Sequence, residues 1–84
     1  LLDGAARIEV FAVGPYRPVA DDAAARLLHL GLPAVAATDP STLAARAAAL
    51  GLGQVALLLS GSGTAEELLA AADAAHAAGA AVLA

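Results

Sequence analysis

The sequence predicts a three-layer αβα domain of the α/β class, built on a parallel sheet. Short apolar runs alternate with segments of helical periodicity, the helical segments have recognisable start or stop residues, and the connections between elements are short. The resulting order, β-α-β-α-β-α-β, implies right-handed crossovers that place helices on both faces of the sheet. A chain of 84 residues is long enough for one such domain.

The first strand and the first helix follow from a change in periodicity. Residues 8–13 form a short apolar run that ends at Gly14 and Pro15, which is typical of a buried strand. From residue 18 to about residue 30 the pattern is helical, with one polar and one apolar side. The expected apolar side consists of Val19, Ala20, Ala23, Ala24, Leu27 and Leu28. Gly31 follows at the usual position of a helix stop.

The next two strands enclose a second helix. Residues 32–38 form another apolar run, after which Asp39 supplies a capping carboxylate and Pro40 a proline at the first helical position. The helix that begins there is expected to end at Gly51. Residues 54–59 give the most continuous strand signal and are expected to lie inside the sheet.

The third helix is expected to begin with a capping box. Thr64 and Glu67 have the S/T-x-x-E spacing of that motif, and Gly79 marks the expected end of the helix. Residues 80–84 are apolar and predict a fourth strand. We therefore expect a domain that is truncated after its fourth strand.

Composition and charge exclude several classes of protein. The hydrophobic fraction is 61%, but most of it is Ala, and no segment has the character of a membrane span or a signal peptide. The absence of Cys excludes disulfides and thiolate metal sites, so a cytoplasmic location is expected. The net charge is −4 and the four arginines are scattered along the chain, which disfavours nucleic-acid binding by this segment.

A binding site is expected where the first and third strands end. In an open parallel sheet of order 2-1-3-4, ligands bind beyond the carboxyl ends of the strands where the strand order reverses. Residues 14–18 and residues 60–64 form the loops at that point. The second loop combines three hydroxyls, two glycines and a helix N-terminus, which together favour a phosphate. An ordinary turn with Thr64 as a helix cap is the alternative.

The second loop and the helix after it resemble a known signature. Residues 60–67 read SGSGTAEE and residues 71–80 read AADAAHAAGA, similar to the S-x-S-G-x-T-x-E pattern and Ala-rich helix of sugar isomerase (SIS) phosphosugar-binding domains. Residues 19–22, 30–35 and 38–40 are similar to the effector domains of RpiR-type bacterial transcription regulators. The resemblance covers essentially the whole chain and implies the flavodoxin-like SIS fold.

The resemblance also implies roles for particular residues. The expected phosphate-binding loop consists of Ser60, Gly61, Ser62, Gly63 and Thr64. By the resemblance, Ser60 and Ser62 hold the phosphate of a sugar phosphate, the other three shape the loop, and Glu67 matches the signature glutamate. The implied partners are the sugar phosphate, further copies of the chain in a homodimer or higher homo-oligomer, and DNA only through a separate helix-turn-helix domain. No cofactor, metal or membrane is implied.

Both loops depart from the family pattern, at Ala65 and at Ala12 and Tyr16. The signature threonine falls on Ala65, and the usual G-x-G-x-S of the first loop reads AVGPY at residues 12–16. Gly14, Tyr16 and Arg17 are the candidate ligand-binding residues of that loop. Arg17 either offers its guanidinium to an anionic ligand or lies in solvent.

Three functions are compatible with these residues. The resemblance favours a non-enzymatic sensor that binds a sugar phosphate and controls DNA binding by another domain. An aldose–ketose phosphosugar isomerase needs a positioned base, but His29 and His76 are both expected to be structural or to face solvent. A degenerate module that dimerises without a ligand is the third alternative, favoured by Tyr16 and Ala65.

Overall fold

The computed structural model describes residues 7–59 and 66–83. The strands are β1 (Arg7–Ala12), β2 (Ala34–Ala37), β3 (Gln54–Leu59) and β4 (Ala81–Leu83), and the α-helices are α1 (Arg17–His29), α2 (Leu43–Ala48) and α3 (Glu66–Ala77). The strands form one parallel sheet in the order β2-β1-β3-β4. The predicted α/β class, strand order and interior position of the third strand are confirmed.

The helices cover the two faces of the sheet, as expected of a three-layer fold. The connection from β1 to β2 crosses the sheet in one direction, and the connections from β2 to β3 and from β3 to β4 cross it in the opposite direction. Because all three connections are right-handed, α1 lies on one face of the sheet, and α2 and α3 lie on the other. Alternate residues of each strand feed two separate cores. The core under α1 contains Ile8, Val10, Ala12, Ala20, Ala24, Ala34 and Val55. The core under α2 and α3 includes Phe11, Leu43, Ala47, Leu58, Leu68 and Ala71.

Helix α1 buries a narrower stripe than its sequence predicts. Ala20 and Ala24 are buried, one helical turn apart, whereas Val19 and Leu28, which were expected on the apolar side, are at least half exposed. Ala23 and Leu27 also pack against this core and are partly buried, so four of the six expected residues do face the sheet. Val19 and Leu28 lie at the margins of the apolar side and are exposed.

Two helices end as the glycine positions predict. At the end of α1 the Leu32 N–H donates to the Leu27 carbonyl, and at the end of α3 the Ala80 N–H donates to the Ala75 carbonyl. The glycines within these two turns, Gly31 and Gly79, have φ angles of 82° and 94°. Each end is therefore a Schellman motif, which satisfies carbonyls of the last helical turn.

Helix α2 is shorter than predicted. The Ser41 N–H donates to Oδ1 of Asp39 over 3.0 Å, but Asp39 does not cap α2, because the N-cap residue of this helix is Thr42. The Thr42 N–H, however, donates to the Asp39 carbonyl, which closes a separate turn, and regular α-helix begins only at Leu43 and ends at Ala48. The predicted start after Asp39 and end at Gly51 are therefore wrong by a few residues at each end.

A buried carboxylate on β1 brings together two arginines that are distant in sequence. Glu9 is 1% exposed, and its Oε1 lies 2.7 Å from Nε of Arg46 on α2, while its Oε2 lies 2.9 Å from Nη2 of Arg7. The four arginines are scattered along the sequence, but the expectation that they do not cluster is wrong for Arg7 and Arg46. A buried charge is tolerated only where it is paired and hydrogen-bonded, and both conditions are met here.

Candidate functional site

The two loops that the sequence singles out leave the sheet side by side. Strands β1 and β3 are neighbours over their whole length, and Ala12 is the register partner of Leu59 at the end of each strand. The strand order reverses between them, because β1 continues to β2 on one side and β3 to β4 on the other. The predicted switch point is therefore present at this edge of the sheet.

The predicted phosphate-binding loop lies outside the described residues. The segment 60–65, which the structure does not describe, contains Ser60, Gly61, Ser62, Gly63, Thr64 and Ala65. The described residues on either side are Leu59, the last residue of β3, and Glu66, the first residue of α3. The proposed roles of the two serines, and the predicted capping box at Thr64, stay predictions.

Glu67 lies on the exposed side of the first turn of α3. Its neighbour Leu68 is buried and holds that turn against the core, while Glu66 and Glu67 both face solvent. Two carboxylates at a helix N-terminus interact favourably with the helix dipole. A carboxylate repels phosphate oxygens but accepts hydrogen bonds from hydroxyl groups, so the chemistry of Glu67 suits a hydroxyl group better than a phosphate.

The first loop is a single tight turn that leads directly into α1. Gly14 begins a 3-10 turn with a φ of +62°, a backbone conformation that residues with a side chain rarely adopt. The Arg17 N–H donates to the Gly14 carbonyl, and the Tyr16 N–H donates to the Val13 carbonyl over 3.4 Å. Gly14, Tyr16 and Arg17 are all exposed just beyond the end of β1. They therefore border the switch point, as predicted.

Arg17 acts electrostatically on the loop that follows β2. The pKa of Asp39 is lowered from its ordinary value of 3.8, first by the hydrogen bond from the Ser41 hydroxyl, then by that from the Ser41 N–H, and less by the positive charge of Arg17. Desolvation by neighbouring atoms opposes these effects and outweighs the contribution of Arg17, although Asp39 is exposed. Strand β2 lies on the opposite side of β1 from β3.

Replacing Asp39 by Asn is expected to flatten the dependence of stability on pH in acid. A lowered folded-state pKa contributes stability that is present above the unfolded-state pKa and is lost as the pH falls through the folded-state value. Urea denaturation at a series of pH values below about 5 measures this slope. Ser41→Ala is expected to change the slope in the same direction by a smaller amount, and identical slopes for Asp39→Asn and wild type would contradict the assignment.

Both histidines lie in solvent, which is one of the two interpretations that the sequence left open. His29 ends α1 and His76 lies in the last turn of α3, and both are exposed. Residues 7–59 and 66–83 contain no cluster of three or more side chains able to hold a metal ion. None of the helices described in these ranges has the length and apolar character needed to cross a bilayer.

Comparison with known proteins finds relatives much longer than this chain. No protein-family model matches it. Over all 84 residues it is 45% identical to the "Bifunctional protein glk" of Paraburkholderia xenovorans and 44% identical to the protein of that name from Burkholderia orbicola. A protein of the same name from Burkholderia thailandensis is 43% identical. The chain spans 13% of the length of each of these relatives.

Proposed function

We propose that this chain is the phosphosugar-binding sensor domain of an RpiR-type bacterial transcription regulator and acts in the cytoplasm. The sugar phosphate binds between the first loop and residues 60–64, with its phosphate on Ser60 and Ser62. Binding changes the assembly of the regulator and thereby the DNA contacts of a separate helix-turn-helix domain.

The observation that carries this proposal is the register of the two central strands. Ala12 and Leu59 are paired at the ends of β1 and β3, so both candidate loops start from one point on the sheet edge. A ligand at this point can contact both loops at once. The alternation of buried and exposed residues in the first turn of α3 adds support, because it leaves Glu67 accessible for the hydroxyls of a sugar.

The lengths and name of the relatives are compatible with a regulatory part of a larger protein. Their name describes a protein with two functions, and this chain corresponds to 13% of such a protein. A ligand-binding domain joined to domains with other functions fits that relation. The activities of the whole protein do not need to reside in these 84 residues.

Assembly into a homodimer or higher homo-oligomer is part of the proposal. On the α1 side of the sheet, α1 packs over β1 and β2, whereas Leu57 and Leu59 of β3 and Ala81 and Leu83 of β4 are only partly buried. These residues form an apolar half-face of the sheet. Contact with a second copy of the chain would remove this half-face from water.

Hexose phosphates are expected to stabilise the domain, and the matching free hexoses are not. A ligand at about 100 times its dissociation constant adds about 2.7 kcal/mol to the free energy of unfolding. Ser62→Ala removes a hydrogen bond to a charged group, worth about 1.5–3 kcal/mol, and is expected to weaken binding about tenfold or more. Calorimetric titration of a panel of hexose and pentose phosphates into both proteins measures the difference.

Two further comparisons make the experiment specific. Thr64→Ala should also cost about 1 kcal/mol of stability without ligand, because a helix cap is lost. Arg17→Gln is compared with Arg26→Gln, an equal change of charge at the far end of α1.

Three outcomes would count against parts of this proposal. Equal affinities of wild type and Ser62→Ala would contradict the phosphate loop, and turnover of a sugar phosphate would favour an isomerase. Light scattering that shows a monomer with and without ligand would contradict the assembly.

A further inference from the structure

An open cavity of about 410 Å³ lies beside α2, on the face of the sheet opposite α1. Its lining residues are Arg7, Glu9, Thr42, Ala45, Arg46 and Ala49. The cavity is separate from the candidate sugar-phosphate site, because neither the residues of the first loop nor those of α3 contribute to it. Val35, the register partner of Glu9 on edge strand β2, is also exposed. This side of the sheet is thus accessible from solvent.

The polar part of the cavity carries an excess of positive charge. One buried carboxylate, that of Glu9, is paired with two guanidinium groups, so the cluster has a net charge of +1. The chain as a whole has a net charge of −4 and only four arginines, and two of these four converge here. One arginine is sufficient to neutralise Glu9, so the ion pairs among residues 7–59 and 66–83 leave one positive charge of this cluster without a matching carboxylate.

Both guanidinium groups retain hydrogen-bond donors that are accessible to a ligand. The contact of Arg46 with Glu9 is made by Nε, and the contact of Arg7 is made by Nη2. A guanidinium carries five N–H donors, so each group has several donors beyond its contact with Glu9 that no side chain of the described residues occupies. The side chain of Arg7 is 43% exposed and that of Arg46 is 37% exposed, whereas Glu9 between them is buried. Glu9 therefore holds two cations in place at the cavity.

We propose that this cavity is a second binding site, specific for the carboxylate or phosphate group of a small molecule. Arg7 and Arg46 bind the oxyanion through their remaining N–H groups, and Glu9 positions both guanidinium groups. Planar guanidinium groups match the geometry of carboxylates and phosphates. The methyl groups of Ala45 and Ala49 form an apolar wall for the carbon skeleton of the ligand.

Nuclear magnetic resonance on the 84-residue chain tests this site with inorganic phosphate and citrate as probes. The Ser62→Ala variant serves as the background, so that binding at residues 60–64 is suppressed. Saturable shifts of the Nε–Hε signals of Arg7 and Arg46 are expected, and they should weaken as salt is raised. Arg46→Gln is expected to lower the affinity about tenfold or more, while Arg7 still pairs with Glu9.

A matched pair of surface variants separates local binding from a general effect of charge. Ala45→Glu places a carboxylate at the wall of the cavity and is expected to lower the affinity about tenfold or more. Ala44→Glu makes the same change of charge one residue away, at an exposed position that does not line the cavity, and is expected to have little effect. Both variants leave the contacts of Glu9 in place, so neither depends on breaking the cluster.

Three results would overturn this inference. The first is the absence of saturable shifts in the background protein, and the second is equal weakening by Ala44→Glu and Ala45→Glu. The third is a shift that follows protein concentration and not added anion, since the cavity would then hold an acidic side chain of a second copy. Sugar-phosphate binding at the first site should be insensitive to Ala45→Glu, so either site can fail without the other.

Discussion

Replacing both Arg7 and Arg46 by Ala is expected to lower the free energy of unfolding by about 3–5 kcal/mol. The double substitution leaves the carboxylate of Glu9, which is 1% exposed, without either of its cationic partners. Breaking a buried ion pair by removing its partners has an effect of this size, because the remaining charge is neither solvated nor paired. Each single substitution should cost much less, since the other arginine still pairs with Glu9, and the two effects should not be additive.

A third substitution identifies the cause of this loss. Adding Glu9→Leu to the double variant removes the buried charge, and most of the lost stability is expected to return, because a packed apolar residue often replaces a buried ion pair at no net cost. Arg26→Ala is the control, since Arg26 and Asp22 form an exposed pair on α1 worth at most about 1 kcal/mol. Urea denaturation measures all four proteins. A loss below about 1 kcal/mol in the double variant would mean that Glu9 is hydrated once the arginines are removed.

Replacing Phe11 by Ala is expected to destabilise the domain by about 3–5 kcal/mol. Phe11 is fully buried on an interior strand, in the core beneath α2 and α3, and it is the only phenylalanine of the chain. Many of its neighbours in this core are alanines, among them Ala37, Ala47, Ala71 and Ala75. Alanine has no rotamers with which to fill a cavity, so we expect the loss to lie towards the upper end of the range.

The consequence for the folded population should be large. A domain of this length has a total stability of about 4–13 kcal/mol at typical values per residue, so this single loss removes a substantial part of it. Leu52→Ala is the control, because Leu52 is 88% exposed and its replacement should change stability by about 0.5 kcal/mol or less. Thermal and urea denaturation of the two variants measure the contrast. Similar losses in both would show that Phe11 does not anchor this core.

The order of elements and the arrangement of the sheet were predictable from the sequence alone. Each strand is a short apolar run, two helices end in glycine-containing turns, and the Asp22–Arg26 pair has the i,i+4 spacing of a helix surface. These features depend on local periodicity. The strand order follows because right-handed crossovers leave few ways to arrange four parallel strands. The adjacency of the two candidate loops follows from that order.

Features that depend on packing were predicted less well. The alanine-rich pattern of α1 does not show how wide a stripe the sheet covers, so Val19 and Leu28 were assigned to the wrong side. The start of α2 depends on whether the residues after Asp39 continue a helix or close a turn, and the hydrogen bonds of Thr42 decide this. Alanine side chains carry little information about which face of a helix packs on the sheet, because they fit equally well against the sheet and in solvent.

The carboxylate of Glu9 marks the limit of what local sequence determines in this protein. One signal was available, since a lone Glu within an apolar strand is rarely buried unless it is paired. Its partner Arg46, however, is 37 residues away, on a helix that follows β2, the strand paired with β1. The sequence alone determined the elements and their order through local periodicity and chain handedness. Only the tertiary structure decided which charges meet, because a contact between distant residues exists only once the layers have packed.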